Sequence, residues 1–259
     1  MNIQLLAHRG GMGRAPENTL ASFKQALLDG ADAFECDVCL TQDKQPVLIH
    51  VDFNRDDIRE ATGCTTPLSQ LNWKEVRQLK SQNSNEPVAH LDDALRFARE
   101  NQMPCFVEPK SDTPELLPII IERIHHFDVV HLVSILTFYF KKQKQLLVEA
   151  KRLEPQLQTS AILINPMVNY LKAATEIDAN RIIFGWNKIN HFGIYNVFTR
   201  SIPRQVDELR ANGIIVEAGF ILTSQDVAWA MRNGIQGLWV DDVPYIRNCV
   251  KQITNESES

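Results

Sequence analysis

Short apolar runs alternate with longer segments of helical period along the whole chain. Strand-like runs stand at Ile3 to Ala7, Ala33 to Cys39, Pro104 to Glu108, Val129 to Ile135, Thr159 to Ile164, Arg181 to Phe184, Ile214 to Glu217 and Gly237 to Asp241. Between most of them lie amphipathic stretches that predict helices, at Thr19 to Leu28, Leu91 to Glu100, Glu115 to His126, Lys141 to Arg152, Val206 to Ala211 and Gln225 to Arg232. Eight strands alternating with helices imply parallel pairing, and closing such a sheet leaves no exposed edge, so the pattern predicts a (β/α)8 TIM barrel. The stretch Val51 to Val88 breaks the rhythm, with Asp52, Arg55, Asp56, Asp57, Arg59 and Glu60 ahead of a short helical patch from Trp73 to Leu79. It reads as a small insertion after the second strand, over the barrel mouth. Asn255 to Ser259 reads as a frayed polar tail. The expected organisation is one domain over residues 1–259 with an insertion at about 51–88.

Composition agrees with a barrel and narrows its partners. The chain has 259 residues, 44% of them apolar, close to the roughly 250 of a single barrel. Its net charge is -5 with Lys and Arg scattered, so no basic face stands ready for nucleic acid. No stretch approaches the roughly 20 apolar residues of a transmembrane helix, and no leader pattern opens the chain, so a soluble, cytoplasmic protein is expected. Five cysteines are an odd count without disulfide-scaffold density, which favours free thiols in a reducing compartment. Cys36 and Cys39 form a C-x-x-C inside a strand-like run rather than at a helix start, so a redox role is not expected.

Candidate chemistry collects at strand ends. Side chains alternate along a strand, so Glu35 and Asp37 share one side while Cys36 takes the other. Two carboxylates about 4 Å apart repel by roughly 4 kcal/mol at an effective dielectric of 20, so one is protonated or a cation is present. Glu108, ending the next strand, can supply a third oxygen, and an all-oxygen set suits Mg2+ or Ca2+ better than Zn2+. The plainer reading of Glu35 and Asp37 is a solvated strand end paired with Arg or Lys. His8 ends the first strand, and His50 ends Pro46 to Ile49, an extension of the second, so both are expected at the catalytic face as an acid and base pair. Arg9 can bind phosphate through its planar fork and Lys110 can add a point charge, while Gly10 and Gly11 let the backbone turn sharply. Either histidine taken alone could be merely a structural hydrogen-bonder. His90, His125, His126, His131 and His191 are assigned to surface or loop roles.

These pieces in their order resemble one family. His8-Arg9-Gly10, Pro16-Glu17-Asn18-Thr19, Gly30-Ala31-Asp32, Glu35-x-Asp37, Thr41-x-Asp43, Val47 to His50 and Val107-Glu108-Pro109-Lys110 are similar to the ordered signature of the glycerophosphodiester phosphodiesterases. The later half matches in barrel rhythm and in a closing Gly237-Leu238-Trp239-Val240-Asp241-Asp242-Val243-Pro244. The resemblance implies His8 and His50 as acid and base, Glu35, Asp37 and Glu108 as metal ligands, and Arg9 and Lys110 as phosphate contacts. Asn18 or Thr19 is expected to cap the first helix, and Glu17 to favour its N-terminus.

Two departures concern the substrate side. An Asp usually follows the second histidine of the family, whereas here Val51 intervenes before Asp52; the penultimate strand lacks the family's aromatic, and Glu217 stands roughly there. The expected activity is metal-dependent hydrolysis of a small glycerophosphodiester, a deacylated phospholipid head group, to glycerol 3-phosphate and an alcohol. The alternatives are a phosphodiesterase for lysophospholipids or other head groups, and a barrel that binds a phosphate ligand without turnover. The aromatic-bearing stretch Asn165 to Phe198 is a candidate lipid-facing or substrate-facing lobe, against the commoner role of such residues in a core or interface.

Overall fold

A computed structural model of the chain describes residues 3–140, 142–165, 167–185 and 202–258. Eight parallel strands close on themselves: β1 (Gln4–Ala7), β2 (Ala33–Leu40), β4 (Cys105–Pro109), β5 (Val133–Phe138), β6 (Gln158–Leu163), β7 (Arg181–Phe184), β8 (Ile215–Ala218) and β9 (Gly237–Val240). The order runs from β1 through β9 back to β2, and β1 pairs with β2 to seal the barrel, with Leu6 opposite Ala33. One further strand, β3 (Pro46–Leu48), lies antiparallel on β2, with Val38 opposite Leu48 and Leu40 opposite Pro46.

The strands sort their side chains by alternation. In β2, Phe34, Cys36 and Val38 face the helical layer, while Ala33 joins Leu6, Phe106, Leu136, Ile162, Ile183 and Trp239 in the barrel interior. The helices bury one stripe each. In Leu91–Asn101 the buried positions Leu91, Ala94, Leu95 and Ala98 recur at helical spacing. Thr19, Asn72, His90 and Thr223 cap their helices through side-chain acceptors.

Several boundaries differ from expectation. Residues Val129 to Leu132, apolar except for His131, belong to a turn entered through Asp128 at φ 55, and β5 starts only at Val133. Apolar runs alone do not separate a strand from a buried turn. Three described helices were not expected: the short Arg59–Thr62, Tyr170–Glu176 and Val243–Glu258. The last absorbs most of the expected tail, because Val243, Ile246 and Cys249 give it a buried stripe on the core. Residues 51–88 build a small core of their own on β3, from Val51, Ile58, Leu68, Val76 and Val88 with Cys39, Val47 and Ile49. No helix among the described residues is long and apolar enough to cross a membrane.

Candidate active site

The turn after β1 is built to hold its neighbours. His8–Gly10 forms a single 3-10 turn in which Arg9 is left-handed at φ 50, and Arg9 N–H donates to Glu35 Oε2 at 2.8 Å. That bond offsets part of the roughly 1–3 kcal/mol such a conformation costs a non-glycine residue. Gly10 follows at φ 81, where a Cβ would run into the Ser22 side chain and the Phe23 ring, so helix Leu20–Leu28 packs tightly under the turn.

Three carboxylates meet in the mouth. Glu35 and Asp37 of β2 and Glu108 of β4 each offer an oxygen within 4.8 Å of the others, and all three are buried. The register explains the meeting: Asp37 lies opposite Glu108 across the β2 and β4 pair. Burial, then repulsion by Asp37 and Glu108, pushes the Glu35 carboxyl well above its ordinary range; burial also raises Glu108. Burial works against Asp37 too, but Lys110, Arg9, His50 and a hydrogen bond from Asn18 hold it low and ionised. Lys110 Nζ stands 3.3 Å from Asp37 Oδ1 and 3.3 Å from Glu108 Oε1, and these carboxylates keep it charged despite burial. Arg9 Nε lies 3.4 Å from Asp37 Oδ2.

Glu35 Oε1 is buried without a hydrogen-bond partner, and Glu108 Oε1 has only the 3.3 Å ion pair with Lys110. A buried acceptor left so costs about 1–3 kcal/mol, more when charged, and three clustered carboxylates repel besides. A hard divalent cation would answer the unmet acceptor and the repulsion together, and three carboxylate oxygens fit as the protein's share of an Mg2+ or Ca2+ ligand set.

The histidines arrive by different routes. His8 is buried directly after β1, and its Nδ1–H donates to Asp241 Oδ1 at 2.9 Å, just beyond β9. A carboxylate only accepts, so the proton belongs on Nδ1 and Nε2 keeps its lone pair. Burial lowers the His8 pKa against the opposing pull of Asp241, and Phe220 packs edge-on against the ring at 4.6 Å. His50 does not end an extension of the second strand. The chain turns over beyond Leu40 and comes back antiparallel as β3, with Ile49 N–H donating to Asp37 O at 3.2 Å, so His50 descends onto the carboxylates from above. Burial lowers its pKa to about 4.

Some functional roles were invisible in sequence. Asn18 does not cap the helix; Thr19 does. Asn18, at φ 57, clamps Asp37 at both ends: its Nδ2–H donates to Asp37 Oδ2 and its Oδ1 accepts from Asp37 N–H, each at 2.9 Å. Glu17 accepts from Arg9 Nη1 at 2.8 Å rather than serving the helix terminus. The signal was the position of both residues inside Pro16-Glu17-Asn18-Thr19, a segment treated only as a cap. Asp241 lies in the closing Gly237 to Pro244 segment, where nothing in the sequence marks its pairing with His8.

Other candidates lie elsewhere. Glu217 is no mouth residue: it is buried in the barrel, ion-paired to Arg181 at the start of β7 and accepting from Trp239 Nε1 at 2.9 Å. Asp52 is exposed, its carbonyl accepting from Arg55 N–H. His90 caps a helix and packs on Trp73, and His125 meets Glu154 at 2.7 Å. Trp186, His191, Phe192, Tyr195 and Phe198 lie outside the described residues.

Known proteins share both the fold and the sequence pattern. A phosphodiesterase from Oleispira antarctica, solved in complex with the product sn-glycerol-3-phosphate, superposes with a TM-score of 0.79 at 22% identity over 96% of each chain. A glycerophosphodiester phosphodiesterase from Thermotoga maritima gives a TM-score of 0.73 at 16% identity, over 96% of this chain and 98% of that one. Glycerophosphodiester phosphodiesterase of Caldanaerobacter subterraneus is 22% identical over 97% of this chain and 99% of its own. Human glycerophosphodiester phosphodiesterase 1 is 43% identical over 42% of this chain, a match that spans 34% of the human protein. The sequence pattern of the glycerophosphoryl diester phosphodiesterase family runs through residues 8–244, from the histidine that opens the mouth to the proline after the last strand, and the chain belongs to that family.

Proposed function

We propose that the chain, acting as one catalytic unit over residues 1–259, is a divalent-metal-dependent glycerophosphodiester phosphodiesterase that releases glycerol 3-phosphate and an alcohol. The observation that carries the reading is the buried cluster of Glu35, Asp37 and Glu108, with Glu35 Oε1 accepting no hydrogen bond and two cations and two histidines facing the same space. The product bound in the O. antarctica relative supports the choice of product. The five free cysteines support a reducing compartment, the cytoplasm.

Glu35, Asp37 and Glu108 would hold the ion, Mg2+ or Ca2+. When bound, it supplies positive charge against the nonbridging phosphate oxygens. The chain's own residues do the rest. Glu17 and Asp37 fix the Arg9 guanidinium before substrate arrives, and Lys110 stands ready with a second charge, so both can bind phosphate without reorganising. His8 is neutral with its proton on Nδ1, which suits Nε2 to take the proton of the attacking hydroxyl, and Asp241 stabilises the imidazolium that forms. His50, in this reading, returns a proton to the leaving oxygen. A bound phosphodiester anion raises its pKa from about 4 toward the working pH.

The test is release of glycerol 3-phosphate from glycerophosphocholine with Mg2+, Ca2+ or EDTA, beside His8→Ala and Glu35→Ala. Metal-dependent release lost in both variants supports the reading. Folded protein that binds the substrate in a calorimeter yet releases nothing with any metal would overturn it in favour of a binding barrel.

A further inference from the structure

His50 stands where the chain leaves the barrel for the inserted segment, so its place over the site depends on what ties that segment down. Ahead of it, Ile49 N–H donates to Asp37 O at 3.2 Å and pins the chain to β2. Behind it the chain turns at once: Arg55 N–H donates to Asp52 O at 2.9 Å, and Asn54 takes the third position of that turn at φ 61. A positive φ is costly for most side chains there and suits Gly or Asn.

In that conformation Asn54 reaches across to β4. Its N–H donates to Lys110 O at 2.8 Å, and its Oδ1 accepts from Asp112 N–H at 3.0 Å. Lys110 N–H in turn donates to Val38 O at 3.0 Å, and Ser111 Oγ accepts from Thr113 N–H at 3.0 Å, so the receiving loop is fixed to the sheet and braced within itself. Among the described residues, every hydrogen bond between segment 51–88 and the loop after β4 passes through Asn54. Side chains do not fill the rest of the junction: a cavity of about 460 Å³ lies between the two, lined by Arg55, Asp56, Ser69, Ser111 and Lys110 among others. Phe53 packs on the main core beside the turn, but an apolar contact has no direction, whereas two hydrogen bonds fix the backbone's orientation.

His50 is thus held between two pins, and each lands on the backbone of a residue whose side chain belongs to the site, Asp37 before it and Lys110 after it. We infer that Asn54 is a positioning residue for His50, fixing the imidazole over the leaving oxygen by carrying the register of β4 into the inserted segment. The inference rests on the phosphodiesterase reading and gives Asn54 a part in its proton-return step. In that step the bond from phosphorus to the alcohol oxygen breaks, the oxygen keeps the electron pair, and the proton of His50 joins it. Without the bond from Asp112 the turn is free to shift into the cavity, and an acid displaced by about 1 Å loses up to roughly 10²-fold in rate. The carboxylates and Lys110 are borne by β2 and β4 and their immediate ends, so they stay in place.

The experiment measures kcat and KM on glycerophosphocholine and on the p-nitrophenyl ester of glycerol 3-phosphate, with saturating metal, for the parent protein, Asn54→Gly and Asn54→Asp. Choline needs a proton as it leaves, whereas p-nitrophenolate departs as a stable anion and needs little help from an acid. Glycine keeps the positive φ and the bond to Lys110 O but removes the acceptor for Asp112 N–H; aspartate keeps an acceptor oxygen and tolerates the same φ. The expected result is that Asn54→Gly lowers kcat on glycerophosphocholine by about 10- to 100-fold, with KM moved by less than about twofold. On the p-nitrophenyl ester the same variant should lose less than about threefold, which also reports that it is folded, and Asn54→Asp should recover most of the lost rate. An equal fall on both esters, no fall on either, or no recovery in Asn54→Asp would overturn the inference and leave the phosphodiesterase reading standing. Release from neither ester by the parent would bring down the phosphodiesterase reading, and this inference with it.

Discussion

Single side chains in this site act through one another. Asp241 reaches His8 across 233 positions of sequence and decides which ring nitrogen carries the proton. Asp241→Asn can turn its amide N–H toward Nδ1 and leave Nε2 protonated, so kcat for glycerol 3-phosphate release should fall by about 10²- to 10⁴-fold, with the thermal midpoint barely moved. An unaltered kcat would remove Asp241 from the mechanism. Asn18 holds Asp37 by both its carboxylate and its amide. Asn18→Ala leaves the buried Asp37 N–H without its acceptor and Asp37 Oδ2 with only the Arg9 ion pair, which should cost about 1–3 kcal/mol in urea unfolding. The same variant should need more metal for half-maximal activity, because Asp37 is no longer aimed. Neither residue announced itself in sequence: a clamp is a property of two positions, and Asn before Thr at a helix start looks like an ordinary cap.

At the scale of elements, alternation along β2 already placed Glu35 and Asp37 on one side, and the parallel register with β4 brought Glu108 to them. His50 needed more. Its place depends on β3 running antiparallel, a direction that follows from the short turn between Leu40 and Pro46 once both flanking runs are taken as strands. Glu217 shows a different limit: one residue facing into the barrel reads alike whether it serves substrate or an internal ion pair. Its partners Arg181 and Trp239 show that it serves the interior. Gly237 makes room for it, since a Cβ there would sit 2.9 Å from Glu217 Cγ and 3.1 Å from Leu6 Cδ1. Gly237→Ala should therefore destabilise the barrel by about 1–3 kcal/mol in chemical denaturation, while activity at low temperature stays near that of the parent. A neutral stability result would mean that the interior yields more easily than this packing implies.

For the whole molecule, metal, pH and stability are linked through three buried carboxyls. Glu35 and Glu108 have raised pKa values in the metal-free fold, so the stability they contribute is full below the ordinary carboxyl range and is lost as pH rises through their folded values. Asp37 is held low and behaves oppositely: its contribution is present above its unfolded value and is lost only as pH falls through its folded one. A divalent ion requires all three ionised, so protons compete with it at Glu35 and Glu108. Saturating Mg2+ or Ca2+ should raise Tm by roughly 5 °C at pH 8 and by clearly less at pH 5, measured by calorimetry against EDTA. Equal shifts at both pH values would mean that these carboxyls do not hold the ion. Sequence by itself determined the alternation of strands and helices, the barrel it implies, and the set of strand-borne acids and bases, because period and side-chain type are local and covalent. It also carried the stripe of the helix Val243–Glu258, since Val243, Ile246, Val250 and Ile253 recur at helical spacing, although that helix was not expected. Only the fold shows that Asp241, Asn18 and Glu17 contact His8, Asp37 and Arg9, and that Glu217 pairs with Arg181 inside the barrel instead. Those outcomes depend on pairing between segments far apart in the chain, where register and direction, rather than residue type, set who meets whom.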